Sequence, residues 1–242
     1  MANSVSLQNM LNSVLGVFNI EQSQLYPPKI YEAHYNTVTS FLLSKLSETY
    51  PDSQGTNDMI DPFVEQSLIA VTDGFIQLPE NYRNLLGSPM ITAKQDGSGE
   101  CSDLPITPAS FKTSVQKGKC KQNPLVIVPE SEWADRTRST YDFPTYENPI
   151  GYYIGKKRIK VCPYDISKVL VTYARKEKQI LVKYIPQPDD TYLIDEAGSQ
   201  NPEWTDAAYA PLFKGICALY AAYSRDEALT NWANVLRQID LV

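Results

Sequence analysis

Histidine is nearly absent from this chain: His34 is the sole example in 242 residues. Any Ser-His-Asp or Cys-His arrangement would have to use that one side chain, and no Gly-x-Ser-x-Gly elbow is present to supply a nucleophile. His34 falls in a helical pattern between Tyr31 and Tyr35, where a packed or surface role is the expectation. Cysteine is also sparse. Cys101, Cys120, Cys162 and Cys217 stand at wide, irregular separations that match neither a paired zinc knuckle nor a redox dithiol. Free thiols in a reducing cytosol are therefore expected, without a disulfide framework.

Long apolar runs are missing as well. None approaches the roughly 18 to 20 residues that cross a bilayer, and Met1 to Ser6 lacks the basic and apolar regions of a signal peptide. The expectation is a chain without a membrane partner that stays where it is made. Positive charge is not in excess: 22 Lys and Arg against 28 Asp and Glu leave a net charge of −6. Such a surface gives phosphate backbones no general attraction, which argues against a dedicated nucleic-acid binder. Cofactor and metal motifs are wanting too. Gly97-Ser98-Gly99 lacks the lysine and helix of a phosphate loop, Asp189-Asp190 reads as a solvated turn, and Asp58 with Asp61 reads as helix-entry capping. No catalytic, cofactor-binding or metal residue is assigned, and the chain is expected not to be an enzyme.

Aromatic residues, by contrast, are plentiful. Sixteen Tyr, seven Phe and three Trp supply stiff, amphipathic side chains suited to cores and subunit interfaces alike. Leu7, Met10, Leu11, Val14, Leu15 and Phe18 recur at helical spacing after possible caps at Ser4 or Ser6. A second helix is expected after Pro27-Pro28, with Tyr31, Tyr35, Val38, Leu42 and Leu46 on one face, ending before Pro51. The linker from Asp52 to Asp58 is polar. Met59 to Phe75 reads as a third apolar segment, making the first third helical, and Leu78 to Arg83 reads as an extended step into a turn or short helix.

From Gly87 to Pro124 no period is sustained, and a stretch that long reads as a functional loop or arm. Leu125 to Val128 has β character, and Glu130 to Arg138 suits a short helix anchored by Trp133. Tyr152 to Ile154 and Arg158 to Cys162 flank Gly155-Lys156-Lys157 as a hairpin. Val169, Val171 and Tyr173 alternate with Leu170, Thr172 and Ala174, and Ile180, Val182 and Tyr184 continue that alternation. Thr205 suits the cap of a helix bearing Leu212, Ile216, Leu219, Tyr220 and Tyr223 on one face. Ser224 with Glu227 forms a capping box for a last helix with Leu229, Trp232, Val235, Leu236 and Ile239 on one face.

The class expected is α+β: N-terminal helices, a small, mostly antiparallel sheet, a C-terminal helical pair and a long arm. The organisation read from the chain is a helical part over 1–86, the arm over 87–124, and sheet plus helices over 125–242. The first and last of these are expected to share one domain.

Two basic clusters interrupt the acidic surface. Lys112, Lys117, Lys119 and Lys121 lie in the long segment, and Lys156, Lys157, Arg158 and Lys160 lie in the hairpin beside Tyr152 and Tyr153. Runs of this kind are usually solvated faces. The second, with its tyrosines, also suits a weak, sequence-independent contact with nucleic acid. No helix carries the Arg, Asn or Gln set that would read bases.

Several stretches resemble virion proteins of crAss-like and related Bacteroidetes phages. They are Phe75 to Arg83; Val126-Ile127-Val128 with Glu130 to Trp133; Ile159 to Pro163; Val169 to Lys176; and Pro202-Glu203-Trp204 leading into Leu212 to Tyr223. The resemblance implies a head-to-tail connector, a structural subunit of the neck or tail made in the host cytoplasm and found in the virion. Such proteins form homo-oligomeric rings below the portal, whose twelvefold symmetry they follow, and continue the DNA channel. The implied partners are further copies of the chain, the portal and neighbouring ring or tail proteins, with non-specific contact to channel DNA. Rival readings are a tail, baseplate or head-decorating subunit, a DNA-binding assembly factor, and a carboxylate-metal hydrolase for which no converging ligands are found.

Overall fold

The computed structural model describes residues 6–17, 27–50, 54–94, 98–101, 120–188, 192–195, 197–200 and 202–224. Helices and a many-stranded sheet make this an α+β protein, as the sequence pattern predicts. The chain divides into two compact units, one from 1–62 with 177–242 and the other from 63–176. That division cuts across the three stretches read from the sequence.

The first unit is mainly helical. Helix α1 (Leu7–Val17) buries Leu7, Met10, Leu11, Val14 and Leu15, and the Ser6 hydroxyl accepts from the Asn9 amide at 3.2 Å. Helix α2 (Pro28–Glu48) starts on Pro27 in an extended conformation, with Pro28 in the first turn where a missing N–H costs nothing. Its stripe of Tyr31, Tyr35, Val38, Leu42 and Leu46 is buried as expected. A short helix α3 (Gln54–Ile60) stands where a polar linker is expected, because Ile60 is fully buried and pins it. Helix α5 (Tyr209–Ser224) buries Leu212, Ile216, Cys217, Tyr220 and Ala221. Leu219 and Tyr223, expected on that face, lie instead at its margin, with Tyr223 half exposed.

Thr205 does precede α5, across a 3-10 turn at Asp206–Ala208, but its side chain makes no capping bond. The capping-box helix expected from Ser224 onward lies outside the described residues. Ser224 itself ends α5, its hydroxyl donating to the Ala221 carbonyl at 2.9 Å.

The second unit is a nine-stranded sheet with one helix, larger than the small sheet expected. Its strands are β1 (Val64–Thr72), β2 (Phe75–Gln77), β3 (Tyr82–Leu85), β4 (Met90–Lys94), β5 (Cys120–Pro124), β6 (Val126–Ile127), β7 (Ile150–Ile154), β8 (Arg158–Cys162) and β9 (Lys168–Arg175). The order is β5-β4-β9-β1-β2-β8-β7-β6, with β3 also against β9, and every pair except β6 with β7 is antiparallel. Strand β9 is the hub. Its Val169, Val171 and Tyr173 join Ile76, Ile159 and Val161 in the main core, while Leu170 and Ala174 on the opposite side are also buried. The alternation read along this strand is therefore realised in the fold.

Three local expectations are corrected. First, Met59 to Phe75 is not a helix beyond Ile60: a 3-10 turn at Asp61–Phe63 leads into β1. Valine, isoleucine and threonine favour an extended chain there, and seven residue pairs from Val64↔Ala174 to Ala70↔Lys168 satisfy its backbone. Asp73 and Gly74, at φ 53° and 77°, close the β1–β2 hairpin in the left-handed region that such a turn requires.

Second, Gly87 to Pro124 is not loop throughout. Strands β4 and β5 pair from Met90↔Pro124 to Lys94↔Cys120, leaving residues 102–119 outside the described set. Cys101 and Cys120 are joined by a disulfide with their Cα atoms 6.0 Å apart, against the expectation of four free thiols. Strand pairing brings them together, which their separation of 19 residues could not indicate.

Third, Ile180 and Val182 do not extend the sheet. Asn36 on α2 accepts from the Ile180 amide at 2.8 Å and donates to its carbonyl at 3.2 Å. Glu32 accepts from the Val182 amide at 2.8 Å. Helix side chains thus supply the hydrogen bonds that a neighbouring strand would otherwise give. Only afterwards does the chain form a two-stranded ribbon, β10 (Tyr184–Pro186) with β11 (Tyr192–Ile194).

Candidate functional site

The hairpin β7–β8 carries the basic cluster singled out from the sequence. Gly155, at φ 70°, supplies the positive dihedral of the turn. Strand period then assigns the faces: Tyr152 pairs with Lys160, and Lys160 pairs on its other side with Phe75 of β2. Helix α4 (Glu130–Arg138) covers this region, with two acids in its first turn and two arginines in its last, as the helix dipole favours. Trp133, the buried residue of α4, packs with Val128, Ile150 and Cys162 and lies 4.9 Å from the Tyr152 ring centroid.

The result is a cation set into aromatic rings. The Lys160 ammonium lies 5.9 Å from the centroids of Phe75, Trp133 and Tyr164. The Arg158 guanidinium stands 4.6 Å from the Phe75 centroid. Each such contact contributes about 0.5–1 kcal/mol where exposed and about 2 kcal/mol when desolvated. Lys157 is tied back, donating to the Glu80 carbonyl at 3.2 Å, whereas Lys156 and Arg158 are exposed. Of the four cluster residues, the fold therefore gathers Arg158 and Lys160 on an aromatic face and leaves Lys156 at the turn. Trp133 and Tyr164 were not assigned to this site from the sequence. Tyr164 offers no periodic signal, since it follows the end of β8.

The second cluster does not form a comparable surface among the described residues. Lys121 pairs with Glu147, and Lys112, Lys117 and Lys119 lie outside that set. Asp189 and Asp190 also lie outside it. Asp58 accepts from Gln54 within α3 at 2.6 Å, and with Asp61 and Asp206 it borders a cleft of about 490 Å³. Among the described residues, no group of three or more His, Cys, Asp or Glu is placed to hold a metal ion. His34 is half buried on α2, with its ring 5.9 Å from that of Tyr223 in an edge-on arrangement, and burial lowers its pKa. Burial also pushes the Cys162 thiol up to about 11 and the Cys217 thiol up to about 12, which favours the protonated form of both near neutrality. No helix among the described residues is long and apolar enough to cross a membrane.

No protein-family model matches the chain, and no curated protein matches it in sequence.

The exposed pair Lys156 and Arg158 sets a quantitative expectation for contact with duplex DNA. Replacing both with Ala should lower the slope of log K against log salt by about 1 to 2, equally for all sequences. Lys157→Ala should change it less, because that ammonium already has a protein partner. Fluorescence anisotropy across a salt series measures the slope, and an unchanged value in the double variant would exclude phosphate contact by this hairpin.

Proposed function

We propose that this chain is a structural subunit of a bacteriophage neck or tail, one that assembles as a homo-oligomeric ring below the portal and continues the DNA channel. The observation that carries the reading is that large apolar side chains stand exposed on both units of the chain. In the first unit, Leu181, Tyr184, Ile185 and Leu193 on and beside the ribbon are each about half exposed. In the second, Tyr141 is fully exposed and Phe143 and Val126 are about half exposed. A closed ring needs a heterologous contact, in which two unlike surfaces of one subunit meet in neighbouring copies. Ile185 and Leu193 are cross-strand partners on one face of the ribbon, and they form the apolar pair that such a contact would cover.

The phage-like stretches support the same reading. They fall on β2 and the start of β3, on β6 with α4, on β8, on β9, and on α5 with the residues before it, which are framework elements of both units. Within a ring, the β7–β8 hairpin is the surface suited to transient, sequence-independent contact with channel DNA.

Purified alone, the protein should be a monomer or small oligomer, and addition of portal should drive it into a closed ring that follows the portal's symmetry. Native mass spectrometry and particle imaging read this directly. Ile185→Asp together with Leu193→Asp should leave the fold intact, since both side chains face solvent, and abolish the ring. A chain that stays monomeric with portal, or that is absent from virions, would overturn the assignment.

A further inference from the structure

In the second unit, the turn that follows α4 holds two aromatic side chains out from the surface. Tyr141 is fully exposed and Phe143 is 48% exposed. Their backbone is nevertheless fixed. The Ser139 hydroxyl accepts from the Tyr141 and Asp142 amides at 3.2 and 2.9 Å, the Arg136 guanidinium pairs with Asp142 at 3.1 Å, and Pro144 is buried behind them. A turn built in advance loses little further freedom on association. From Ser139 to Glu147 the segment carries Asp142 and Glu147 and no basic residue.

In the first unit, helices α2 and α5 leave a recess of matching character. They meet at Gly215, where an added Cβ would stand 2.5 Å from Val38 Cγ1, and beside this close approach opens a groove of about 580 Å³. Val38, Phe41, Leu42, Pro211, Ala218 and Leu219 give it an apolar lining. A dry apolar cavity of about 150 Å³ is enough to hold one benzene ring, so the groove has room for two aromatic side chains. Phe41 is 69% exposed there, and the exposed Lys45 adds a cation to the lining.

We propose that Tyr141 and Phe143 of one copy seat in the α2–α5 groove of a second copy, with the Asp142 carboxylate facing Lys45. Asp142 is 67% exposed beside Arg136, which leaves its carboxylate able to meet a second cation. An exposed ion pair adds little affinity and serves here to set the register, while the two rings supply the buried area. Because the two surfaces are unlike, the contact repeats from copy to copy. It rests on the ring reading for its closure, since a head-to-tail contact that fails to close gives a filament instead.

The test uses two full-length single variants, Phe41→Cys and Phe143→Cys, the second marked by a mass tag, mixed at high concentration without portal and oxidised. Docking brings positions 41 and 143 of different copies within reach, so the mixed dimer should exceed either same-variant dimer about tenfold or more. Only same-variant dimers, or none, would overturn the contact. Sedimentation gives a second measure: Phe143→Asp should raise the dissociation constant for self-association about tenfold or more, and Phe143→Leu should change it much less. An unchanged constant in the aspartate variant, with its urea midpoint also unchanged, would overturn the proposal as well. A 41–143 cross-link without a portal-driven ring would uphold this contact and sink the ring, whereas a portal-driven ring that never gives the cross-link would reject the contact and leave the ring standing.

Discussion

Trp133→Ala should lower the unfolding free energy of the second unit by about 3–5 kcal/mol. Helix α4 has nine residues and one buried side chain, so its attachment to the sheet depends on that indole. A helix this short has little stability apart from packing. Removal leaves a cavity beside Val128, Ile150 and Cys162 and strips Lys160 of one of its three rings. The effect should appear as a lower urea midpoint, together with faster alkylation of Cys162, whose burial Trp133 helps maintain. Trp133→Phe keeps an aromatic anchor and should cost much less. A loss below about 1 kcal/mol for the alanine variant, within the range of ordinary surface changes, would mean that α4 is held by other contacts.

Removing the Cys101–Cys120 disulfide should cost nearly as much, about 3 kcal/mol, since it closes a loop of roughly 20 residues in the unfolded chain. The bridge also holds a sheet margin. The Cys101 amide donates to the Thr92 carbonyl at 3.4 Å, and the adjacent Glu100 carboxylate accepts from the Ser167 and Lys168 amides at 2.9 and 3.2 Å. Cys101→Ser with Cys120→Ser should therefore lower the urea midpoint and speed hydrogen exchange in β4 and β5 before it does so in β9. Reductant should bring the unaltered protein to the same midpoint and leave the double variant unmoved. An unaltered protein insensitive to reductant at accessible thiol–disulfide equilibrium would refute the staple.

The sequence was legible where one local signal dominated. Proline at a helix entry, the α1 stripe from Leu7 to Leu15, the strict alternation of β9 and the Gly155 turn each have a single reading, and the fold agrees with all four, while Phe18 of the expected stripe lies outside the described residues. It was ambiguous where an apolar run suits either period. Residues 64 to 72 contain apolar positions compatible with a helix, and only the pairing with β9, a hundred residues away, selects the strand. Ile180 and Val182 show the opposite failure: alternation is genuine, but side chains of α2 take the place of a strand.

The candidate site was half legible. Its cations stand together in sequence and could be named, whereas Phe75, Trp133 and Tyr164 arrive from a separate strand, a helix and a loop. The cross-strand row Phe75, Lys160, Tyr152 sets the ammonium beside Phe75, and Trp133 joins it by packing against Tyr152. The disulfide was illegible for the same reason, since its partners are brought together by strand register and not by spacing.

The division of the chain also has a consequence for the order of synthesis. The second unit is encoded without interruption from residue 63 to residue 176, and its first and last strands are antiparallel neighbours, Val64 opposite Ala174. A nascent chain can complete it as soon as β9 leaves the ribosome. The first unit cannot close until α5 emerges, roughly 160 residues after Pro62, which at about 5–20 residues per second is a delay of about 8–32 s. Over that interval α1 and α2 exist without α5, their apolar stripes open to chaperones or to other nascent chains. The chain thus finishes its middle first and its two ends last, and its aggregation hazard is concentrated in the helices made earliest.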